Sequence, residues 1–371
     1  MKILHIIPSL RKGGAERIVL DICIELQKRV DTEVRLVTFS SLCEYPDLAA
    51  LVNWSVIPSW FIPSITDKND ANLGDLESFV NEFEPDVIHT HLWEAEIVSR
   101  QLTYVRGRWF THFHDNMRQL SRLSWPLSKQ KLTDWYERHL MLQQYKKRDS
   151  HFISISQHCL GYAKANLPSR HTSNISLLAN AINCERFARK GPRTKDDTLK
   201  IVSVGSLLPN KNHKFLVAVA ICLKNTNIPF VFKIVGDGIL REPLQALIAS
   251  EGLTAYFELL GRIDSPESIL WEADIFVHTA FKEAFGLVIL EAMAAGLPVV
   301  TLNGGGNVDI MEQGGNGYII DKPDAEIFAD KIMQLWIDRP LYQSVSTYAA
   351  HYAEGFDIKK YATGLLSLYG Q

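Results

Sequence analysis

What this sequence lacks narrows it first. No run reaches the roughly 18 consecutive apolar residues of a membrane-spanning helix, although 46% of the 371 residues are hydrophobic. The opening Met1-Lys-Ile-Leu-His-Ile-Ile7 is cut short by Pro8 and the polar Arg11-Lys12-Gly13-Gly14, too soon for a signal peptide. The expectation is a soluble, cytoplasmic chain that at most lies on the inner face of a membrane. Only five cysteines occur, Cys23, Cys43, Cys159, Cys184 and Cys222, scattered and without CxxC or zinc-ligand spacing. A reducing compartment fits them. The dinucleotide fingerprint G-x-G-x-x-G is absent, which disfavours a nicotinamide cofactor. An excess of charge is absent too: 39 Lys and Arg against 42 Asp and Glu leave a formal net charge of -3, which offers no footprint for nucleic acid.

What is present is length and alternation. The length exceeds one ordinary domain, so two domains of about 150 to 200 residues are expected. Residues 2–7, 33–39, 53–57, 86–90, 108–113 and 151–155 read as strands separated by helical patterns, as do 199–205, 230–236, 257–261 and 274–279 further on. Alternation of this kind predicts α/β architecture with parallel sheets covered on both faces. The polar stretch 186–198, with Gly191-Pro192, reads as a linker. It would divide an amino-terminal domain, 1–185, from a carboxy-terminal one, 199–354. Two helices are predicted within 324–352, and one more at the end of the chain.

The richest stretch is Thr279-Ala-Phe-Lys-Glu283-Ala-Phe-Gly286-Leu-Val-Ile-Leu-Glu291-Ala-Met-Ala-Ala-Gly296-Leu-Pro298. It predicts a strand end, a loop, a helix starting near Gly286, a left-handed stop at Gly296 enforced by Pro298, and a further strand opening at Val299-Val300. The first amides of that helix suit an anion such as a diphosphate. Glu283 falls outside the helix mouth and Glu291 one to two turns inside. A carboxylate among apolar residues, as at Glu291, needs hydroxyls or cations on its lone pairs. Residue type alone also allows Glu283 to be a solvated loop charge and Glu291 to pair with a distant Arg.

Other polar groups fall where strands end. Gly13-Gly14 after the first strand lets the backbone approach a bound group. His89, His91, His112, His114 and Asp115 follow later strands, but none has a helical two-histidine spacing with a third ligand in reach, so no metal site is expected. Lys211, in a loop before a helix, suits diphosphate oxygens as a compact charge.

These motifs resemble the large retaining glycosyltransferase family 4. Glu, seven residues, then Glu, with Phe-Gly-Leu after the first and Glu-Ala-Met-Ala-x-Gly-x-Pro-Val-Val around the second, carries the resemblance, together with Gly-Gly-x-Glu at 13–16 and His114-Asp115. The resemblance implies the GT-B fold: two Rossmann-like doubly wound domains facing each other across a cleft, with helix 355–371 packing back on the first. It implies a sugar passed with retention from a nucleotide diphosphate, a UDP-sugar being favoured, to a glycan or lipid-linked acceptor in surface polysaccharide or glycoconjugate synthesis. His114, Lys211 and Glu283 would be catalytic. Gly14, Ser206, Arg262, Phe285, Gly286, Leu287 and Glu291 would hold the donor, the first Glu on sugar hydroxyls and the second on ribose. The family usually has Arg where Ser206 stands, so Lys211 should carry more of the leaving-group charge. No Asp-x-Asp cation handle occurs, and neither cofactor nor metal is expected. Two alternatives stay open, a non-hydrolysing nucleotide-sugar epimerase of the same fold and a catalytically silent sugar-nucleotide binding subunit.

Charge is uneven along the chain. Residues 100–150 hold eleven Lys or Arg against four Asp or Glu, a local +7, with Trp125, Leu127, Leu132, Trp135 and Tyr136 interleaved. Such a stretch either lies on an anionic bilayer or forms a solvated helix capping the sheet.

Overall fold

The computed structural model describes residues 1–64, 68–104, 106–125, 128–191 and 197–370. Residues 192–196 of the expected linker, Leu127 of the basic stretch and Gln371 of the terminal helix lie outside the described residues. The chain divides into two compact units, Met1–Ala181 with Ile358–Gln371, and Ile182–Asp357. Residues 182–187 group with the second unit because they are tied to it: Arg186 pairs with Glu267, Trp271 Nε1 donates to Phe187 O at 2.8 Å, and Ile182 N donates to Phe356 O at 2.9 Å.

The first unit is built on strands Lys2–Ile7 (β1), Glu33–Thr38 (β2) and Trp54–Val56 (β3), a small antiparallel pair Trp60–Ile62 (β4) and Asp70–Asn72 (β5), then Val87–His91 (β6), Arg108–Phe113 (β7), His151–Ser154 (β8) and Ile175–Leu177 (β9). Seven of them form a parallel sheet in the order β3-β2-β1-β6-β7-β8-β9. Alternate residues feed opposite cores. Leu4, Ile6, Ile88, Trp109 and Phe113 pack on one face. Ile3, Ile7, Val87 and Phe110 pack on the other, beneath the helix Gly14–Gln27 and the terminal helix Ile358–Gly370, whose Tyr361, Leu365 and Tyr369 are buried there.

A buried polar knot sits beside this sheet. Glu96 and Arg100 have fully buried side chains 3.0 Å apart. Thr111 Oγ1 donates to the same Glu96 oxygen at 2.9 Å, and the Arg100 guanidinium lies over the rings of Trp109 and Tyr145 at 4.8 and 5.1 Å. Arg100 is therefore no part of a basic surface. Arg138 and Arg148 are half-buried and spend donors on the carbonyls of Leu120, Asn166 and Leu102. The basic stretch thus delivers less free charge than its composition suggests, because three of its guanidiniums serve the interior.

The second unit carries Leu199–Val204 (β10), Phe230–Val235 (β11), Phe257–Gly261 (β12), Ile275–His278 (β13), Val299–Leu302 (β14) and Gly317–Ile320 (β15), a parallel sheet in the order β12-β11-β10-β13-β14-β15. Helix Leu287–Ala294 begins after Gly286, whose φ of +101° is a conformation that glycine adopts at little cost. It ends as the sequence predicts: Gly296 turns left-handed at φ +73°, and Leu297 N donates back to Ala292 O at 3.0 Å.

The buried pair generates a stability prediction. Arg100→Met strands the Glu96 carboxylate and should cost about 3–5 kcal/mol, while Arg100→Met with Glu96→Leu should recover most of it. Urea titration of both variants followed by circular dichroism checks this, and equal losses would refute the ion-pair account.

Candidate functional site

In the second unit the strand order reverses between β10 and β13. Ligands of open parallel sheets bind beyond the carboxyl ends of the two strands at such a reversal. The loop leaving β10 carries Ser206 to Lys211, and the loop leaving β13 carries Thr279 to Glu283. They meet there: Lys211 Nζ lies 2.6 Å from Glu283 Oε2, Phe281 N donates to Asn210 O at 3.1 Å, and Thr279 Oγ1 donates to Lys211 O at 3.0 Å. His278 Nε2 approaches the same Glu283 oxygen at 3.1 Å.

Glu283 is thus no solvated loop charge, its side chain being 13% exposed. Burial alone would raise its carboxyl, but the hydrogen bond with His278 and the adjacent Lys211 ammonium outweigh that and hold it at about 2. It is an ionised acceptor at any physiological pH. Nearby His213, buried beside His278 and Lys211, is pushed down to about 4 by burial first and those neighbours second, so it stays neutral.

The backbone of Glu283 is clamped as well. Its N–H donates to Gly304 O at 2.7 Å, and Gly306 N donates to Glu283 O at 2.8 Å. A Cβ on Gly306 would run into Ala284 O, so the close approach of these two loops requires glycine there. Asn307, wholly buried, ties the glycine loop down by accepting from Gly304 N at 2.8 Å and donating to Thr301 Oγ1 and Leu302 O at 2.9 Å. Sequence reasoning missed His278 and Asn307. A histidine closing an apolar strand was a usable signal for the first; a lone amide after three glycines gave none for the second.

The other expected donor contacts distribute unevenly. Gly286 and Leu287 stand at the mouth of the helix, Glu291 is half-buried just over a turn in, Ser206 is exposed in the Lys211 loop, and Arg262 is exposed after edge strand β12. The Phe285 ring is 2% exposed and packs against Phe356 at 6.1 Å, because an apolar ring at this point is drawn into the core. A pocket of about 400 Å³ opens beside the loop, lined by Leu207, His213, Lys214, Leu244 and Phe281 among others. Its named walls hold no carboxylate and are mainly apolar.

In the first unit, Gly14 is exposed as the first residue of its helix, with Gly13 held by the Tyr45 hydroxyl at 3.2 Å. His114, after β7, is 8% exposed; burial lowers it to about 3, and its Nε2 lies 2.9 Å from His91 Nδ1. No helical two-histidine spacing is involved, yet the histidines do gather in threes. One ring nitrogen from each of His91, His112 and His114 lies within 4.8 Å of the others, and the same holds for His5, His89 and His91. The spacing sought in the sequence was helical, whereas these rings gather by strand periodicity and parallel register, His5 opposite His89 and His91 opposite His112.

Comparison with known proteins adds ancestry to this geometry. Residues 12–186 match the family described as Glycosyltransferase Family 4, and residues 185–352 match Glycosyl transferases group 1. The UDP-Gal:alpha-D-GlcNAc-diphosphoundecaprenol alpha-1,3-galactosyltransferase of Escherichia coli is 30% identical over 207 residues, 53% of this chain and 54% of its own length. An uncharacterized glycosyltransferase of Methanocaldococcus jannaschii is 26% identical over 210 residues, 56% and 57% of the two. The matches thus span about half the length of these curated relatives. Among solved structures, Alr3699/HepE of Anabaena in complex with UDP and glucose superposes over the whole of both chains with a TM-score of 0.78 at 20% identity, and the lipopolysaccharide glycosyltransferase WaaG over 99% of both at 0.72 and 16%. The fold is GT-B.

A pH dependence follows from Glu283. Its carboxyl ionises more readily in the folded chain than the ordinary value of 4.5 allows, so the stabilisation is complete above that value and is lost as pH falls toward 2. The effect amounts to about 3 kcal/mol. Stability measured by urea unfolding should therefore separate wild type from Glu283→Gln most at pH 6 and least near pH 2. A gap that stays constant across that range would contradict the assignment.

Proposed function

Since the chain belongs to the glycosyl transferases group 1, with a family 4 amino-terminal half, we propose that it transfers a sugar from a nucleotide diphosphate, a UDP-sugar in the first instance, to a glycan or lipid-linked acceptor with retention of anomeric configuration. The observation that carries the reading is the Lys211–Glu283 pair at the strand reversal of the second unit, next to a helix mouth. A relative named for a UDP-galactose reaction on a GlcNAc-diphosphoundecaprenol acceptor, and a structural neighbour holding UDP and glucose, support the choice of donor and acceptor class.

In this reading the donor's diphosphate rests against the Lys211 ammonium and the first-turn amides beyond Gly286, which stabilise charge as the leaving group departs. Glu283, always ionised, accepts from sugar hydroxyls, Glu291 accepts from ribose, and backbone beside Arg262 meets the base. The bond from the anomeric carbon to the diphosphate oxygen breaks with its electron pair going to the phosphate. The acceptor oxygen bonds to the anomeric carbon on the same face, and its proton passes to the departing phosphate oxygen. His114, neutral because it is buried, serves a hydroxyl as hydrogen-bond partner and not as base.

Exposed apolar and basic residues of the first unit cluster in sequence: Leu123, Trp125, Leu132 and Trp135 with Arg118, Arg122 and Lys129, around the start of helix Lys129–Lys147. We propose that they rest on an anionic bilayer, which would bring a lipid-linked acceptor to the enzyme.

Lys211→Ala and Glu283→Ala should each lower turnover by about two to three orders of magnitude while preserving fold, the scale for losing one preorganised charge contact. Radiolabelled transfer from UDP-sugars measures it. Near-normal transfer would remove these residues from the site, and release of an epimerised nucleotide sugar without acceptor would replace the transferase reading. Trp125→Ala with Trp135→Ala should weaken sedimentation with anionic vesicles at low salt, and indifference of the wild type to such vesicles would end the membrane proposal.

A further inference from the structure

Five histidines of the first unit form one layer that the proposed transfer does not use beyond His114. His5 on β1, His89 and His91 on β6, and His112 and His114 at β7 all face the side of the sheet covered by helices Gly14–Gln27 and Ile358–Gly370. The first four are wholly buried. Only part of their hydrogen-bonding capacity is met: His5 Nδ1 lies 2.9 Å from His91 Nε2, His91 Nδ1 lies 2.9 Å from His114 Nε2, and His89 Nδ1 contacts the Tyr369 hydroxyl at 2.5 Å. Among the described residues, His5 Nε2, His89 Nε2, His114 Nδ1 and both ring nitrogens of His112 have no partner. A buried ring with neither nitrogen satisfied by protein is unusual, and an ordered water or a bound ion resolves it.

We propose that His91, His112 and His114 bind a borderline transition-metal dication such as Zn²⁺ or Co²⁺. One nitrogen of each already lies within 4.8 Å of the others. A tetrahedral ion with Zn–N bonds of about 2.0–2.1 Å needs nitrogens about 3.3 Å apart, so the rings must draw together, and His112, stacked on His114 at 4.1 Å and 11°, must turn edge-on for both lone pairs to meet one ion. The 2.9 Å contact between His91 Nδ1 and His114 Nε2 must open slightly to admit the ion, and the proton shared there moves to another ring nitrogen, such as the unpartnered His114 Nδ1. His91 keeps its Nε2 directed at His5 Nδ1, the kind of outer hydrogen bond that fixes the tautomer of a ligating imidazole. This trio is preferred over His5, His89 and His91 because His114, at 8% exposure, provides the way in. Three nitrogens and no oxygen select such ions over Mg²⁺ or Ca²⁺. The fourth position would take water.

Binding and not transfer is the readout, since an ion on His114 would also remove it as a hydroxyl partner. Titration of the tag-free full chain with CoCl₂ should bring up visible d–d absorption saturating at one ion per chain, abolished by Zn²⁺ and untouched by Mg²⁺. His112→Asn, checked for native circular dichroism, should weaken Co²⁺ binding at least tenfold. Because a core variant can misfold, wild-type protein labelled with ¹⁵N-histidine supplies a second measurement: Zn²⁺ should shift the ring nitrogens of His91, His112 and His114. Absence of binding, or shifts confined to the exposed His139, His158 and His351, would overturn the proposal.

Discussion

Everything assigned to the second unit depends on one constraint, that a carboxylate largely withdrawn from water must find its counter-charge on a different loop. Glu283 and Lys211 stand 72 residues apart in sequence and come together because β10 and β13 are sheet neighbours whose connections leave on opposite sides. Removing a carboxylate from water is costly unless a cation and hydrogen bonds compensate, and here both act on one oxygen. In the proposed reaction the same ammonium faces the diphosphate. The ion pair holds Lys211 in position before any donor arrives, so little reorganisation is needed at the moment charge develops.

The glycines around Glu283 act on the same end. Gly304 and Gly306 let the loop after β14 lie against the loop after β13 closely enough for two backbone hydrogen bonds, and buried Asn307 stops that loop from drifting. Three strand ends are thereby fastened to one residue, through its side chain and its backbone. A rigid cradle of backbone is what a charge-stabilising site needs, since a donor displaced by an ångström loses most of its electrostatic value.

Much of this was legible. The continuous apolar runs of central parallel strands, the Gly286 start and the Gly296–Pro298 stop are local signals, and local signals survive into three dimensions. The short edge elements were missed: Ile175–Leu177 has three residues and Gly317–Ile320 four behind a glycine, too few to show a period. The pair Trp60–Ile62 and Asp70–Asn72 was missed for the same reason. Charge was the poorest guide. Counting Lys and Arg over 100–150 could not reveal that Arg100 is answered by Glu96, because that pairing depends on which face of a helix meets the sheet.

The histidines show the same limit from the other side. On β6 and β7 they alternate with Thr90 and Phe113, which sequence displays plainly, but alternation says only that each pair shares a face. It is the register between β1, β6 and β7 that stacks five rings into one layer, and register belongs to the folded sheet. Such a layer is an expensive way to fill a core. Each unsatisfied buried nitrogen opposes folding by about 1–3 kcal/mol, whereas valine or isoleucine at the same positions would carry no such penalty. Whatever satisfies those nitrogens therefore binds with the strain relief added to its intrinsic affinity. That coupling makes an ion held by this layer a folding ligand of the first unit as much as a chemical one.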